Sequence, residues 1–221
     1  YKREPGIVAR IKHANVVADY LAEHGYPARS TADPRIIRLQ NNAGKKYGAL
    51  YHYLDGATIP WEAYTQDRLK MLGKAMSDMH ALLAGAPLQS LPLVTDECTA
   101  IIQRMQKYFG EPATQSAIQR KLELRVPIGQ LEIFAAVVDA CKNLRGQQPL
   151  HMDLVRGNVL FEGQNISGVL DFEKTAYGHP LFDIARTLAF LLVDCKYKSE
   201  ASVRKYFLYS GYAKRGAAPL K

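Results

Sequence analysis

Cysteine is scarce in this chain. Cys98, Cys141 and Cys195 are odd in number and lie more than forty positions apart, which fits neither a disulfide framework nor a pair of zinc ligands. A reducing, cytoplasmic compartment is expected from that. Long apolar runs are lacking as well: "LAFLLV" at 188–193 is the longest, and a bilayer span needs about 20 residues, so no membrane segment is expected. The net charge of +8 is not gathered into a basic block, so a nucleic-acid or membrane partner is not implied, while affinity for a small polyanion is compatible with it. Repeats, low-complexity segments and a signal-type leader are missing too. The chain opens on Tyr1 and ends on "GAAPLK" with no helix stop, which reads as a protein cut at both ends. What is there is a globular composition, 48% hydrophobic and 10% aromatic, which excludes disorder.

Hydrophobic periodicity divides the chain. "IVARIKHANVVADYLAEHG" carries a helical stripe that stops at Gly25 with Pro27 beyond it. "RIIRLQ" and "YGALYHYL" flank the turn-forming "NNAGKK" and predict a hairpin. From Thr65 the pattern is helical through "TQDRLKMLGKAMSDMHALLAG", "DECTAIIQRMQKYFG", "ATQSAIQRKLEL" and "GQLEIFAAVVDACKNLRG". Strand signals return at "PLHMDL", "NVLF" and "ISGVL", before two further helical stretches, "LFDIARTLAFLLVDC" and "SEASVRKYFLYSGYAKR". The change in composition near Pro60 marks a domain boundary.

The chemistry gathers at the open end of the second hairpin. In "NVLFEGQNISGVLD" the chain folds back over Glu162 to Asn165, which places Asn158 and Asp171 side by side. Paired strands lie about 4.7–4.9 Å apart, close enough for an amide oxygen and a carboxylate to share one cation. Oxygen ligands suit hard Mg²⁺, and two of them leave room for waters or substrate phosphates. Asp153, five residues before Asn158, converges on the same end, where a carboxylate beside a metal-bound phosphate can take a proton from an attacking hydroxyl.

These residues carry a resemblance. "HMDLVRGN" followed by "DFE" resembles the His-x-Asp-x-x-x-x-Asn and Asp-aromatic-acidic motifs of the aminoglycoside phosphotransferase and choline kinase-like superfamily, relatives of the protein kinases. The likeness continues through "GHPLFDIARTLAF". Upstream, "GALYHYLDG" is similar to the strand entering that family's nucleotide hinge, and "LGKAMSDMHALL" to the helix that begins its C-terminal lobe. The resemblance implies an α+β, two-lobed, protein kinase-like fold. Residues 1–58 would form a partial N-terminal nucleotide-binding lobe, and 59–221 a mainly helical catalytic and substrate lobe carrying the hairpin. It also implies an ATP- and Mg²⁺-dependent kinase acting on the hydroxyl of a small molecule: an amino alcohol, amino acid, sugar or aminoglycoside. Asp153 would be the catalytic base, Asn158 and Asp171 the metal ligands, and His151 a support of the catalytic loop that Asp183 braces. His52 and Leu54 would offer backbone hydrogen bonds to adenine, and Lys2 would bind phosphate.

The chain departs from the pattern in places. Val155 and Arg156 replace the more frequent His-Pro, and the first helix offers Asp19 and Glu23 but no glutamate where a partner of Lys2 is expected. A phosphate-covering hairpin belongs ahead of Lys2, and the chain begins one residue before it. Two other functions therefore stand beside the kinase: a metal-dependent phosphohydrolase using His151, Asp153, Asp171 and His179 as ligands, and a kinase-like binding module without transfer activity. The cysteine spacing predicts that titration of denatured, unreduced protein finds three thiols; a lower count from an internal bridge overturns the reducing compartment.

Overall fold

The computed structural model of the protein describes residues 6–42, 44–88, 90–125, 127–194 and 198–213. Ile7, Ile11, Ala14, Val17, Ala18 and Leu21 recur at helical spacing and form the buried face of α1 (Ile7–Glu23). The helix stops because Gly25 takes a left-handed conformation, letting the amides of Gly25 and Tyr26 turn back to the carbonyls of Ala22 (3.0 Å) and Leu21 (2.9 Å). Antiparallel strands β1 (Thr31–Asn41) and β2 (Gly44–Tyr51) follow, paired from Ile37↔Gly48 to Asn41↔Gly44. Their ladder reaches into the expected turn cluster, and β2 ends at Tyr51 rather than continuing to Leu54. The register slips between Asp33 and Ile37, around Pro34, which has no N–H to give.

An extended linker leads to helices α2 (Gln66–Leu83), α3 (Val94–Gly110), α4 (Pro112–Leu122) and α5 (Ile128–Cys141). The Thr65 hydroxyl caps α2 by accepting from the Arg68 amide. Leu69, Leu72, Met76, Met79 and Leu83 on α2 are buried, and each such side chain contributes roughly 1.5–3 kcal/mol. They meet Val17 and Leu21 of α1 in one core, so the helical body and the N-terminal piece share their apolar interior. The outer helices are wetter: α5 buries only Leu131 and leaves Ile133, Phe134 and Val137 more than half exposed.

Strand β3 (Gln148–Leu150) is shorter than the predicted "PLHMDL", because Met152 has a positive φ of 60° and the ladder cannot pass it. It pairs with β6 (Ala176–Gly178), a three-residue strand too short to show a period. Between them lies the hairpin of β4 (Val159–Glu162) and β5 (Asn165–Val169), with Val159↔Val169 and Glu162↔Asn165 as end pairs. Both outer edges of this hairpin are used. Phe161 exchanges two backbone hydrogen bonds with Ala57 in the linker, while Val169 accepts from the Arg29 amide and donates to the Pro27 carbonyl. The N-terminal piece thus grips the hairpin from both sides.

Helix α6 (Leu181–Asp194) packs on the core, and α7 (Glu200–Val203) runs on into a π-helical segment, Arg204–Tyr212. Sequence periodicity predicts an ordinary helix there. The wider coil lies against α2 at a contact without side chains, where a Cβ added to either Gly73 or Gly211 would come within 3.0 Å of the other's Cα. Among the described residues Cys98 and Cys141 are free thiols, Cys195 lies outside them, and no helix is long and apolar enough to cross a membrane.

A Cβ on Gly73 would sit 2.1 Å from the Phe207 carbonyl oxygen and 2.8 Å from the Tyr212 nitrogen, both backbone atoms that cannot rotate away. Gly73→Ala is expected to cost at least about 1–3 kcal/mol in chemical denaturation. Gly110→Ala, which meets nothing within 4 Å, is expected to be neutral or stabilising.

Candidate active site

The loop between β3 and β4 is built around one carboxylate. Asp183, in the first turn of α6 and 1% exposed, accepts from the backbone amides of His151 (2.8 Å, Oδ2) and Met152 (2.5 Å, Oδ1) and from His80 Nε2 (3.1 Å). Burial would raise its pKa, but the His80 hydrogen bond and the His80 and His151 imidazoles outweigh this and hold the group below its ordinary value. Two consecutive amides pinned to one side chain explain how Met152 is kept left-handed. His80 is in turn fixed by the Tyr212 hydroxyl at 2.9 Å on its Nδ1. Burial, with Asp183 nearby, pushes that phenol up to about 12, so it stays protonated and donates.

His151 is fully buried and both its nitrogens are assigned by their partners. Nδ1 must accept, since it faces the Asp153 amide at 3.0 Å, so Nε2 carries the proton and donates to the Leu170 carbonyl at 3.0 Å. Burial lowers its pKa and keeps it neutral. The ring, resting on Phe172 with centroids 4.5 Å apart, joins the loop to the segment carrying Asp171.

Asp153 follows directly. The Asn158 amide nitrogen donates to the Asp153 carbonyl (2.8 Å) and to its Oδ2 (3.3 Å). A carbonyl can only accept, so this end of the amide is nitrogen, and the Asn158 side-chain oxygen is the atom left for a cation. Asn158 is held beside β5 by its own carbonyl, which accepts from the Leu170 amide at 2.9 Å, one residue before Asp171. Asp171 has φ 58° and starts a short helical turn, accepting from the Glu173 amide at 3.4 Å. It lines a small pocket with Ala14, Ala18, Arg29, Tyr51, Phe172 and Glu173, where the Arg29 guanidinium lies 4.6 Å from the Tyr51 ring centre.

His151, Asp153, Asn158, Asp171 and Asp183 therefore meet at one end of the hairpin. His52 and Leu54 lie on the linker after β2; the His52 amide donates to the Ser30 carbonyl at 3.0 Å, and among the described residues no partner takes the His52 carbonyl or the Leu54 amide. Lys2 lies outside the described residues. Asp19 accepts from the Thr31 amide and hydroxyl, both at 2.6 Å, which ties α1 to β1. The set His151, Asp153, Asp171 and His179 does not assemble as a metal centre. Both His151 nitrogens are spent, His179 Nδ1 accepts from the Leu181 amide, and no group of three His, Cys, Asp or Glu among the described residues is placed to hold an ion.

Sequence reasoning missed four residues: His80 and Tyr212, which complete the support of Asp183, and two cations on Asp153. Lys174 Nζ and Arg186 Nη2 reach the same oxygen, Oδ1, at 2.9 and 3.2 Å. Burial would raise the Asp153 carboxyl, but hydrogen bonds and charge from Lys174 and then Arg186 prevail and lower it. Lys174 follows "DFE" directly, and that adjacency was the one available signal.

Residues 3–208 match the phosphotransferase enzyme family, APH, and the chain belongs to that family. Over 53 residues, 24% of this chain and 17% of the relative, it is 42% identical to a homoserine kinase from Pseudomonas aeruginosa. Among solved structures, an amicoumacin kinase in complex with AMP-PNP and Ca²⁺ superposes with a TM-score of 0.69 at 16% identity, covering 96% of this chain and 62% of that one. An aminoglycoside phosphotransferase from Streptomyces rimosus, in complex with ADP and streptomycin, gives 0.62 at 16% identity over 95% of this chain and 78% of that one. The fold is thus the α+β, two-lobed kinase-like one. The chain spans 62% of the amicoumacin kinase chain and a smaller share of the homoserine kinase.

An amide in place of the Asp183 carboxylate leaves one acceptor oxygen for two buried amides and an imidazole, and sets a donating NH2 against a donor. Asp183→Asn is expected to cost about 3–5 kcal/mol in urea denaturation. Because His151 is depressed below the ordinary histidine pKa of about 6.5, its contribution is full above that pH and is lost as pH falls below it. Asp183, also depressed, adds a second loss below about pH 4. A melting temperature that stays flat from pH 7 to 5 would rule out a neutral buried His151.

Proposed function

We propose that this protein is an ATP-dependent small-molecule kinase that transfers the γ-phosphoryl group to a hydroxyl. The observation that carries this reading is the coupling of two oxygen ligands, Asn158 and Asp171, to the carboxylate of Asp153: Asn158 is hydrogen-bonded to Asp153 on one side and to the residue before Asp171 on the other. Family membership supports the reaction class, and the nucleotides in the structural relatives named above support ATP. We place the nucleotide lobe at residues 1–58 and the catalytic and substrate lobe at 59–221, with His52 and Leu54 offering their backbones to adenine and Lys2 its charge to phosphate. We read the protein as cytoplasmic, which its free thiols support, with a small hydroxyl compound rather than a nucleic acid or a membrane as its partner.

The donor set fits Mg²⁺. The Asn158 oxygen and the Asp171 carboxylate are hard ligands, and two protein ligands suit an ion that keeps waters and substrate phosphates around it. When bound, the ion neutralises charge developing on the phosphates. Asp153 accepts the acceptor's hydroxyl proton as the oxygen bonds to the γ-phosphorus and ADP departs. His151 and Asp183 take no proton; they hold the loop so that Asp153 is already in position, which is where most of the acceleration originates in such reactions.

The two aspartates should respond differently. Asp153→Asn is expected to keep affinity for Mg²⁺-ATP and lose about 10²–10⁴ in turnover, whereas Asp171→Ala loses both. Calorimetry and steady-state rates on the full-length variants check this. Normal turnover by Asp153→Asn refutes the mechanism, and wild-type protein that binds Mg²⁺-ATP without ever transferring phosphate is a binding module instead.

A further inference from the structure

From the charges on Asp153 we infer that the acceptor is an anionic alcohol, carrying a carboxylate or phosphate close to the hydroxyl that is phosphorylated, and that Arg186 and Lys174 hold that anion. The inference rests on the kinase reading above and names its substrate class. One carboxylate faces two cations, so the cluster of Asp153, Lys174 and Arg186 carries a formal charge of +1. Neither cation is locked away. The Lys174 side chain is 51% exposed and that of Arg186 33%, against 12% for Asp153. A pair needed only to neutralise Asp153 requires one partner; the second is surplus charge at the mouth of the site.

The two cations come from different elements. Arg186 rises from α6, where its guanidinium lies 5.5 Å from the Phe190 ring centre. Asp171 instead faces Arg29, Tyr51 and α1 across its pocket. Arg186 thus reaches Asp153 from α6, while Lys174 reaches it from the short turn that Asp171 starts. Its planar fork matches carboxylate and phosphate oxygens, and Lys174 adds a point charge. An anion drawn to these cations takes over their contacts with Oδ1 and clears that oxygen for the hydroxyl. A polycationic acceptor finds like charge at the entrance and Oδ1 already occupied. The same charge pattern gives the anionic acceptor both an attraction and a competitor-excluding repulsion.

The test is ATP consumption by the full-length protein with matched acceptors: hydroxy acids, their carboxamides, the corresponding amino alcohols, a phosphorylated alcohol, and an aminoglycoside. The anionic members are expected to exceed their carboxamides by about tenfold or more in kcat/KM, the size of a charge-assisted hydrogen bond. Arg186→Gln should erase that preference: beyond any loss common to both acceptors from its contact with Asp153, kcat/KM for the anion falls about tenfold or more further than for the carboxamide, while the KM for ATP stays within about threefold. Arg186→Lys should restore part of it. Lys174→Gln, on the more exposed cation, repeats the measurement if Arg186→Gln does not fold. A response confined to carboxylates assigns hydroxy acids, and one confined to the phosphate monoester assigns phosphorylated alcohols; both uphold the inference. Equal rates with acid and carboxamide, preferred turnover of the aminoglycoside, or equal losses for both acceptors in Arg186→Gln overturn it while leaving the kinase reading intact. ATP consumption with no acceptor at all refutes the kinase reading, and the inference with it.

Discussion

Asp183 accepts from the amides of His151 and Met152 and from His80, and the geometry of the whole loop descends from that arrangement. With those amides fixed, Met152 turns left-handed, β3 stops, and the chain is redirected so that His151 points into the core while Asp153 emerges beside Asn158. A buried carboxylate is tolerable only when its lone pairs are filled, and here the filling groups are the very atoms whose positions matter. Support and position are one interaction. The same economy appears at His151, whose two nitrogens join the Asp153 amide to the Leu170 carbonyl and so set the loop relative to the hairpin.

Charge is distributed unequally around this frame. Asp171 looks toward α1 and β2, where Arg29 and Tyr51 lie, and Asp153 looks toward Lys174 and Arg186. The hairpin keeps the two carboxylates apart by lying between their backbones, with Asn158 bonded to both sides. One end of a short ribbon thus offers an oxygen-rich face and a cation-rich face within a few residues of each other.

The parts of this that were legible in the sequence are those that local pattern controls. Asn158 and Asp171 read as neighbours because a hairpin of known turn fixes which residues share an end, and α1 read as a helix because its apolar residues repeat. Strand "PLHMDL" was read too long because what halts it, Asp183, is thirty residues away and invisible to a local window. The π-helical coil at Arg204–Tyr212 has the apolar spacing of an ordinary helix; its cause is a backbone contact with Gly73 in α2. Arg186 sits in an apolar helix as its one cation, and only the fold shows that it faces Asp153. Asp183 was found through family resemblance, since a carboxylate in the first turn of a helix has an adequate local reason to be there.

The backbone bonds on both edges of the hairpin constrain how such a molecule can flex. Pro27 and Arg29 are fastened to Val169, and Ala57 to Phe161, so the N-terminal piece is clamped to the ribbon at its entry and at its exit. Between these clamps β1 and β2 are held to α1 by side chains: Asp19 accepts from Thr31, and the Tyr51 hydroxyl donates to the Asn15 side-chain oxygen. A rotation of β1 and β2 over Asp171 about the two fastened points would have to work against those side-chain ties. The open end of the hairpin is fastened through both backbone groups of Leu170 to His151 and Asn158, so it moves with the loop that carries Asp153.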